Sequence, residues 1–287
     1  MKKITNYITE KLKISKDSKI EYNYHPKDSD ELKSLVDKLI KEKGDDADLN
    51  DIDTSNITDM NHIFSKYSFS GDVSSWDVSN VTNMEGMFVG CQSLKELDLS
   101  NWDVSNCTNF SFMFAGCDKF IGNGLDKWNV SKAKSLVGMF KECFALDFDF
   151  SNWKFPKCRD IRGIFANCHN LKKIKDIEKW DTSNVWYFDQ IFWGMKDLDL
   201  DLSRWNTSNA RTMSSLFAYT RNLKVSGLDK WDMSKIRNID EMFTCAEVSQ
   251  DCDILSQNNK WKLNDRVSMR EIVNYSNIKY YPRWYKK

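Results

Sequence analysis

Two sets of apolar positions recur together along most of the chain. Trp stands at 76, 102, 128, 153, 180, 205 and 231, at intervals of 26, 26, 25, 27, 25 and 26 residues. Phe keeps the same beat at 64, 88, 114, 140, 165, 192, 217 and 243, each time directly after Met, Ile or Leu. Two markers in register over about 180 residues predict a repeat solenoid, in which each unit buries its apolar face only against its neighbours. The seven tryptophans, Trp76, Trp102, Trp128, Trp153, Trp180, Trp205 and Trp231, are the expected structural spine.

The unit Leu94–Cys117 shows the pattern most fully. Leu94, Leu97, Leu99, Trp102 and Val104 follow the leucine-rich spacing L-x-x-L-x-L-x-x-N-x-L, with Trp in the place of Asn. After the Trp, Val81, Met84, Met87, Phe88 and Cys91 of the preceding unit are spaced like one face of a helix. Ser lies three residues after every Trp except Trp153, where Pro156 stands, and both suit a helix start. The expected fold is therefore an α/β repeat solenoid. It is a leucine-rich-repeat-like right-handed coil with one short strand and one short helix per turn, about eight turns and helical caps at both ends.

Outside the period, Ile4, Tyr7, Ile8 and Leu12 have helical spacing, and Leu32, Leu35, Val36, Leu39 and Ile40 have it more strongly. Asp28 to Asp30 are candidate caps for the second segment and Gly44 its stop, with Ile20–Tyr24 able to pair as a strand between the two. Beyond Phe243 the beat fails, Trp261 coming 30 residues after Trp231, while Met269, Ile272, Val273 and Tyr275 suggest another helical face. The predicted division is 1–48 as an N-terminal helical cap, 49–250 as the solenoid, its first unit having Ile52 in the Trp position, and 251–287 as a C-terminal cap.

Charge narrows the function classes. Lys plus Arg number 42 and Asp plus Glu 42, so no net field draws in polyanions, which argues against nucleic acid as a partner and against an anionic membrane surface. No segment has the 18 or more apolar residues of a membrane span, and MKKITNYITEKLKIS has no apolar run suited to a standard signal peptide. Cys91, Cys117, Cys143 and Cys168 share one slot that later units fill with Met195, Thr220 and Ala246, a series suited to reduced, buried thiols and not to a disulfide framework. Cytoplasmic or virion-associated residence is expected, with the cell surface as the alternative.

The run WDVSNVTNMEGMFVGC at 76–91 resembles the units of the BspA-like leucine-rich repeat proteins of bacteria, which repeat every 26 residues, and the likeness extends over about 50–250. The resemblance implies a binding protein with no shared catalytic residues. Family members are mostly surface or secreted proteins that bind host or matrix proteins, and others occur in protists and in phage-like genomes. Three readings stay open: a non-catalytic protein-protein interaction scaffold, a structural or decorating component of an assembly such as a phage particle, or an adhesin exported by a non-standard route. The sequence leaves the partner's identity and the oligomeric state open.

No catalytic residue, cofactor or metal site is expected. Cys168 and His169 are adjacent, so their side chains should point apart, and no Cys-x-x-Cys or His-x-x-x-His spacing offers a metal cage. Asp77, Asp103, Asp181 and Asp232 could form a cation ladder, but Lys154 falls in the same row and turns are the simpler use of Asp. Basic and aromatic residues crowd 276–287, the segment through which a nucleic-acid reading would have to act. The candidate partner-binding residues are Trp186, Tyr187, Trp193 and Tyr219, aromatics in slots that other units leave small or polar.

Overall fold

The computed structural model describes residues 22–65, 67–171, 174–249, 261–263, 265–274 and 276–278. Successive repeats lie on one another through a line of parallel bridges that runs Asp59, Asn83, Asn109, Ser135, Asp160, Tyr187, Thr212, Asn238 and Ser268. Around each bridge, alternate amides reach the following repeat. Met84 donates to the Asn109 carbonyl at 2.9 Å, Gly86 to Ser111 at 2.8 Å, Phe88 to Met113 at 2.9 Å and Gly90 to Ala115 at 2.7 Å. All four N–H groups thus face one way along the stack.

That arrangement replaces the short helix expected over Val81–Cys91. An α-helix would send each amide back four residues, whereas here half the amides leave for the next repeat. The others close i to i+3 turns, Met87 to Met84, Val89 to Gly86 and Cys91 to Phe88. Gly86 at φ 57° and Gly90 at φ 77° place left-handed residues four apart, which no α-helix accepts. Consecutive turns still bring Met84, Met87, Phe88 and Cys91 to the inside, so turn and helix share an apolar spacing. Nor does Ser79 cap a helix: the Asp77 side chain accepts the Ser79 amide at 2.9 Å, and Asp103, Asn129, Asp181, Asn206 and Asp232 do the same in their repeats. These are Asx turns.

Among the described residues regular strand is confined to β1 (Asp199–Asp201) and β2 (Lys224–Ser226), paired in parallel. Elsewhere the leucine-rich segment runs as turns, and four single 3-10 turns, Leu125–Lys127, Phe150–Asn152, Ile177–Lys179 and Leu228–Lys230, each deliver the chain into a Trp.

The tryptophans are buried, and several stack directly, Trp102 on Trp128 at 6.3 Å and Trp205 on Trp231 at 6.4 Å. Each such ring removes about 150–250 Å² from water, worth roughly 4–6 kcal/mol before entropy is counted. The indole also does backbone work that Asn does in the usual leucine-rich unit. Trp102 Nε1 donates to the Val73 carbonyl at 3.1 Å, Trp128 to Leu99 at 3.1 Å and Trp205 to Ile177 at 2.8 Å, each one repeat back, whereas Trp180 Nε1 has no acceptor among the described residues. A Phe column runs beside it, Phe88 to Phe114 at 5.5 Å and Phe114 to Phe140 at 5.9 Å. The Cys slot serves that column: Cys117, Cys143 and Cys168 thiols donate to the carbonyls of Phe88, Phe114 and Phe140.

At the N-terminal end α1 (Ser29–Lys43) lays Leu32, Val36, Leu39 and Ile40 on the first repeats. Asp28 accepts the amides of Asp30 and Glu31, and Gly44 ends the helix at φ 94°. Tyr24 bridges Ile52 in parallel, which carries the bridging back before the helix. The expected helix at residues 4–12 lies outside the described residues. At the other end the helical face expected at 269–275 is absent from the described part. Residues 261–263 and 265–274 instead belong to one more repeat, with Trp261 stacked on Trp231 at 6.3 Å and Ile272 in the place of the marker Phe. The long spacing and the Phe-to-Ile exchange hide that repeat in the sequence.

Candidate binding surface

The four candidate aromatics fall into two pairs. Trp186 and Tyr187 belong to the bridge line, Tyr187 being itself a bridging residue, and their rings meet edge to face at 6.3 Å. Trp193 and Tyr219 come six or seven residues further along their repeats and pack together at 5.3 Å. No ring contact joins the two pairs among the described residues.

Trp186 is half-buried because arginines from both neighbouring repeats cover it. The Arg159 guanidinium carbon lies 4.4 Å from the ring centroid and that of Arg211 3.7 Å. Tyr187 has Arg162 over its ring at 5.2 Å, and Arg162 is itself held by a two-point ion pair to Asp160 at 2.7–3.1 Å. In the next repeat Asp189 accepts the Ser214 amide and the Thr212 hydroxyl; burial pushes its carboxyl above the ordinary range, against those bonds and the charge of Arg162.

Tyr219 shares its backbone conformation with its counterparts and differs from them in size. The slot is left-handed in the repeats from Gly90 to Cys245: Gly90, Gly116 and Gly194 fill it at φ 70–77°, and Glu142, Asn167 and Cys245 at φ 55–62°. Tyr219 adopts φ 59° there, a conformation that costs a bulky L-residue about 1 kcal/mol or more. Its side chain is 49% exposed. With Trp193 it borders an open groove of about 750 Å³ whose rim adds Asn167, His169, Lys196, Arg221, Cys245 and Glu247. The groove's lining thus joins two aromatic rings to charges of both signs.

Adjacent Cys168 and His169 are held by different partners. Cys168 is fully buried, its thiol donates to the Phe140 carbonyl at 2.9 Å, and burial pushes it up to about 12. His169 stacks on Phe144 at 5.5 Å. Among the described residues no three His, Cys, Asp or Glu side chains gather as a metal site, and no helix is long and apolar enough to cross a membrane. One exposed apolar residue escaped the sequence reading. Phe112, 39% exposed at φ 56°, lies over Gly138 of the next repeat, and its only sequence signal is a Phe two residues before the marker Phe.

A model of the family described as "Mycoplasma protein of unknown function, DUF285" matches residues 31–153, 98–174 and 159–279, most of the chain. No curated protein and no solved structure matches.

Proposed function

The chain belongs to the DUF285 family and is a BspA-like repeat protein, and on that premise we propose that it is a non-catalytic scaffold for protein-protein interaction. In this reading the stacked repeats form a right-handed, leucine-rich-repeat-like solenoid, and the variable slots on its outside carry recognition. The observation that carries the proposal is Tyr219: a large, half-exposed ring in a left-handed slot that sister repeats give to Gly90, Gly116 and Gly194 or to the smaller Glu142, Asn167 and Cys245. Strain retained at an exposed position is expected where the side chain has a use outside the fold. Its partner ring Trp193 and the mixed charges around the groove suit a protein surface, where aromatic anchors ringed by polar groups dominate binding.

The test separates folding from recognition. Tyr219→Gly should raise stability by about 1 kcal/mol, because it removes the strained conformation at the cost of one exposed ring contact. Trp193→Ala/Tyr219→Gly, folded by circular dichroism, should fail to retain the partner that the unmodified protein captures from its native source. Undiminished capture by that folded double variant would remove the reading.

A further inference from the structure

A second surface runs beside the bridge line. The residue before each bridging position donates its amide to its counterpart one repeat back, so these residues form a single file along the stack. The file is Thr58, Thr82 and Thr108 in the first three repeats, and then becomes Lys134, Arg159, Trp186, Arg211 and Arg237. Two residues earlier a parallel file carries Lys132, Lys157 and Lys235. Two shallow grooves lie among them. Lys134, Lys157 and Arg159 line one of about 480 Å³, and Arg211, Lys235, Arg237 and Arg266 line another of about 490 Å³, with no carboxylate on either wall. In a molecule of zero net charge, four of five consecutive repeats have gathered cations onto one strip, with Trp186 in the fifth.

Cations on neighbouring repeats repel, so the strip weakens the fold unless an anion meets it. Trp186 lies at its centre and organises it: the guanidinium carbons of Arg159, from the preceding repeat, and Arg211, from the following one, lie 4.4 Å and 3.7 Å from the indole centroid, a cation–π contact that restrains two groups suited to receiving carboxylates in pairs. With two guanidinium groups this close to the ring, the indole is a poor platform for a base, and stacking is what single-strand nucleic-acid sites are built around.

We propose that this strip docks an extended acidic segment of a protein partner, lying along the repeat axis, with Asp or Glu carboxylates received by Arg159 and Arg211 and flanked by the lysines. The spacing agrees. Parallel repeats stacked at about 4.8 Å put Arg159 and Arg211, two repeats apart, about 10 Å from each other along the axis, and an extended chain covers that in three residues of about 3.3 Å. Five repeats span roughly 20 Å, enough for six extended residues. The inference rests on the scaffold reading for its class of partner, but uses a different surface from the Trp193–Tyr219 groove.

The experiment is fluorescence anisotropy of a fluorescein-labelled peptide of about twelve residues with Glu at every third position. Its Gln counterpart and an oligothymidylate of matched charge are run beside it. The Glu peptide should bind saturably near 50 mM salt and at least about tenfold more weakly near 300 mM, and the Gln peptide should not bind. Arg159→Glu/Arg211→Glu should weaken binding by about thirtyfold or more, and the milder Arg159→Gln/Arg211→Gln should move it the same way. Trp186→Leu should cost several-fold by releasing the two guanidinium groups, while Lys95→Glu/Lys119→Glu, away from the strip, should stay within about twofold. Tyr219→Gly should leave peptide binding unchanged, so failure of the groove reading and failure of this one are separable. The proposal is overturned if the Glu peptide does not bind, if the folded Arg159/Arg211 variants bind it as well as the unmodified protein, or if oligothymidylate binds more tightly than the peptide.

Discussion

Replacing a buried Trp by Phe should have very different consequences at Trp128 and at Trp180. Both rings are 3% exposed and occupy equivalent positions two repeats apart. Shrinking the indole leaves a cavity on the order of 40 Å³ at either site, about 1 kcal/mol. At Trp128 the substitution also removes the Nε1 bond to the Leu99 carbonyl at 3.1 Å. That carbonyl keeps the Trp102 amide at 3.2 Å, so the added loss is that of an ordinary hydrogen bond, about 1 kcal/mol, and not of a stranded group. Trp128→Phe should therefore destabilise by about 2 kcal/mol. Trp180 is the one buried indole among the described residues whose Nε1 has no acceptor. Phe there deletes an unsatisfied donor, returning about 1–3 kcal/mol, which offsets the cavity and leaves stability unchanged or slightly raised. Urea unfolding followed by far-ultraviolet circular dichroism, with the two variants compared at common slope, measures the difference. Equal losses, or a larger loss at Trp180, would refute the account of the indole as a backbone donor.

Two further outcomes follow from the ionisable groups. Burial pushes the thiols of Cys91, Cys107, Cys158 and Cys168 up to about 12 and those of Cys117 and Cys143 above their ordinary value. Iodoacetamide at mildly alkaline pH should thus label Cys245 and spare these six until the chain is unfolded, and peptide mapping that finds native Cys117 or Cys143 modified would contradict the buried column. The Asx-turn carboxylates Asp103 and Asp232 are held below the ordinary 3.8, first by the hydrogen bonds of Ser105 and Ser234. A lowered folded value means a contribution that is present above the unfolded value and is lost as pH falls through the folded one. Asn129 and Asn206 make the same turn without a charge. Asp103→Asn/Asp232→Asn should keep stability near neutrality within about 0.5 kcal/mol and flatten its fall below about pH 4; an acid transition as steep as before would count against the assignment.

Much of the interior was legible because the repeat makes each residue its own control. Trp, Phe and Cys recur at fixed intervals, so their shared burial is written as a period, and Asp28 and Gly44 mark the ends of α1 by ordinary capping chemistry. The local backbone was not legible in the same way. Apolar residues spaced at 84, 87, 88 and 91 satisfy a helix and a run of i to i+3 turns equally well, and the positive φ values that choose between them fall on Phe112, Gln190, Ser215 and Glu241 as well as on glycine. The candidate surface divided similarly. Composition singled out Trp186, Tyr187, Trp193 and Tyr219, but could not separate them into two pairs or set arginines against Trp186.

By itself the sequence determined the period, the apolar positions that keep it, the capping helix and the absence of a net charge. Those follow from residue type and spacing along one chain. Only the tertiary structure decided where the backbone donors go, that Trp261 and Ile272 continue the stack, and that Lys134, Arg159, Arg211 and Arg237 stand in one file around Trp186. The physical reason is that each depends on hydrogen bonds between residues about 26 positions apart, and a stack of repeats turns that separation in sequence into about 4.8 Å in space.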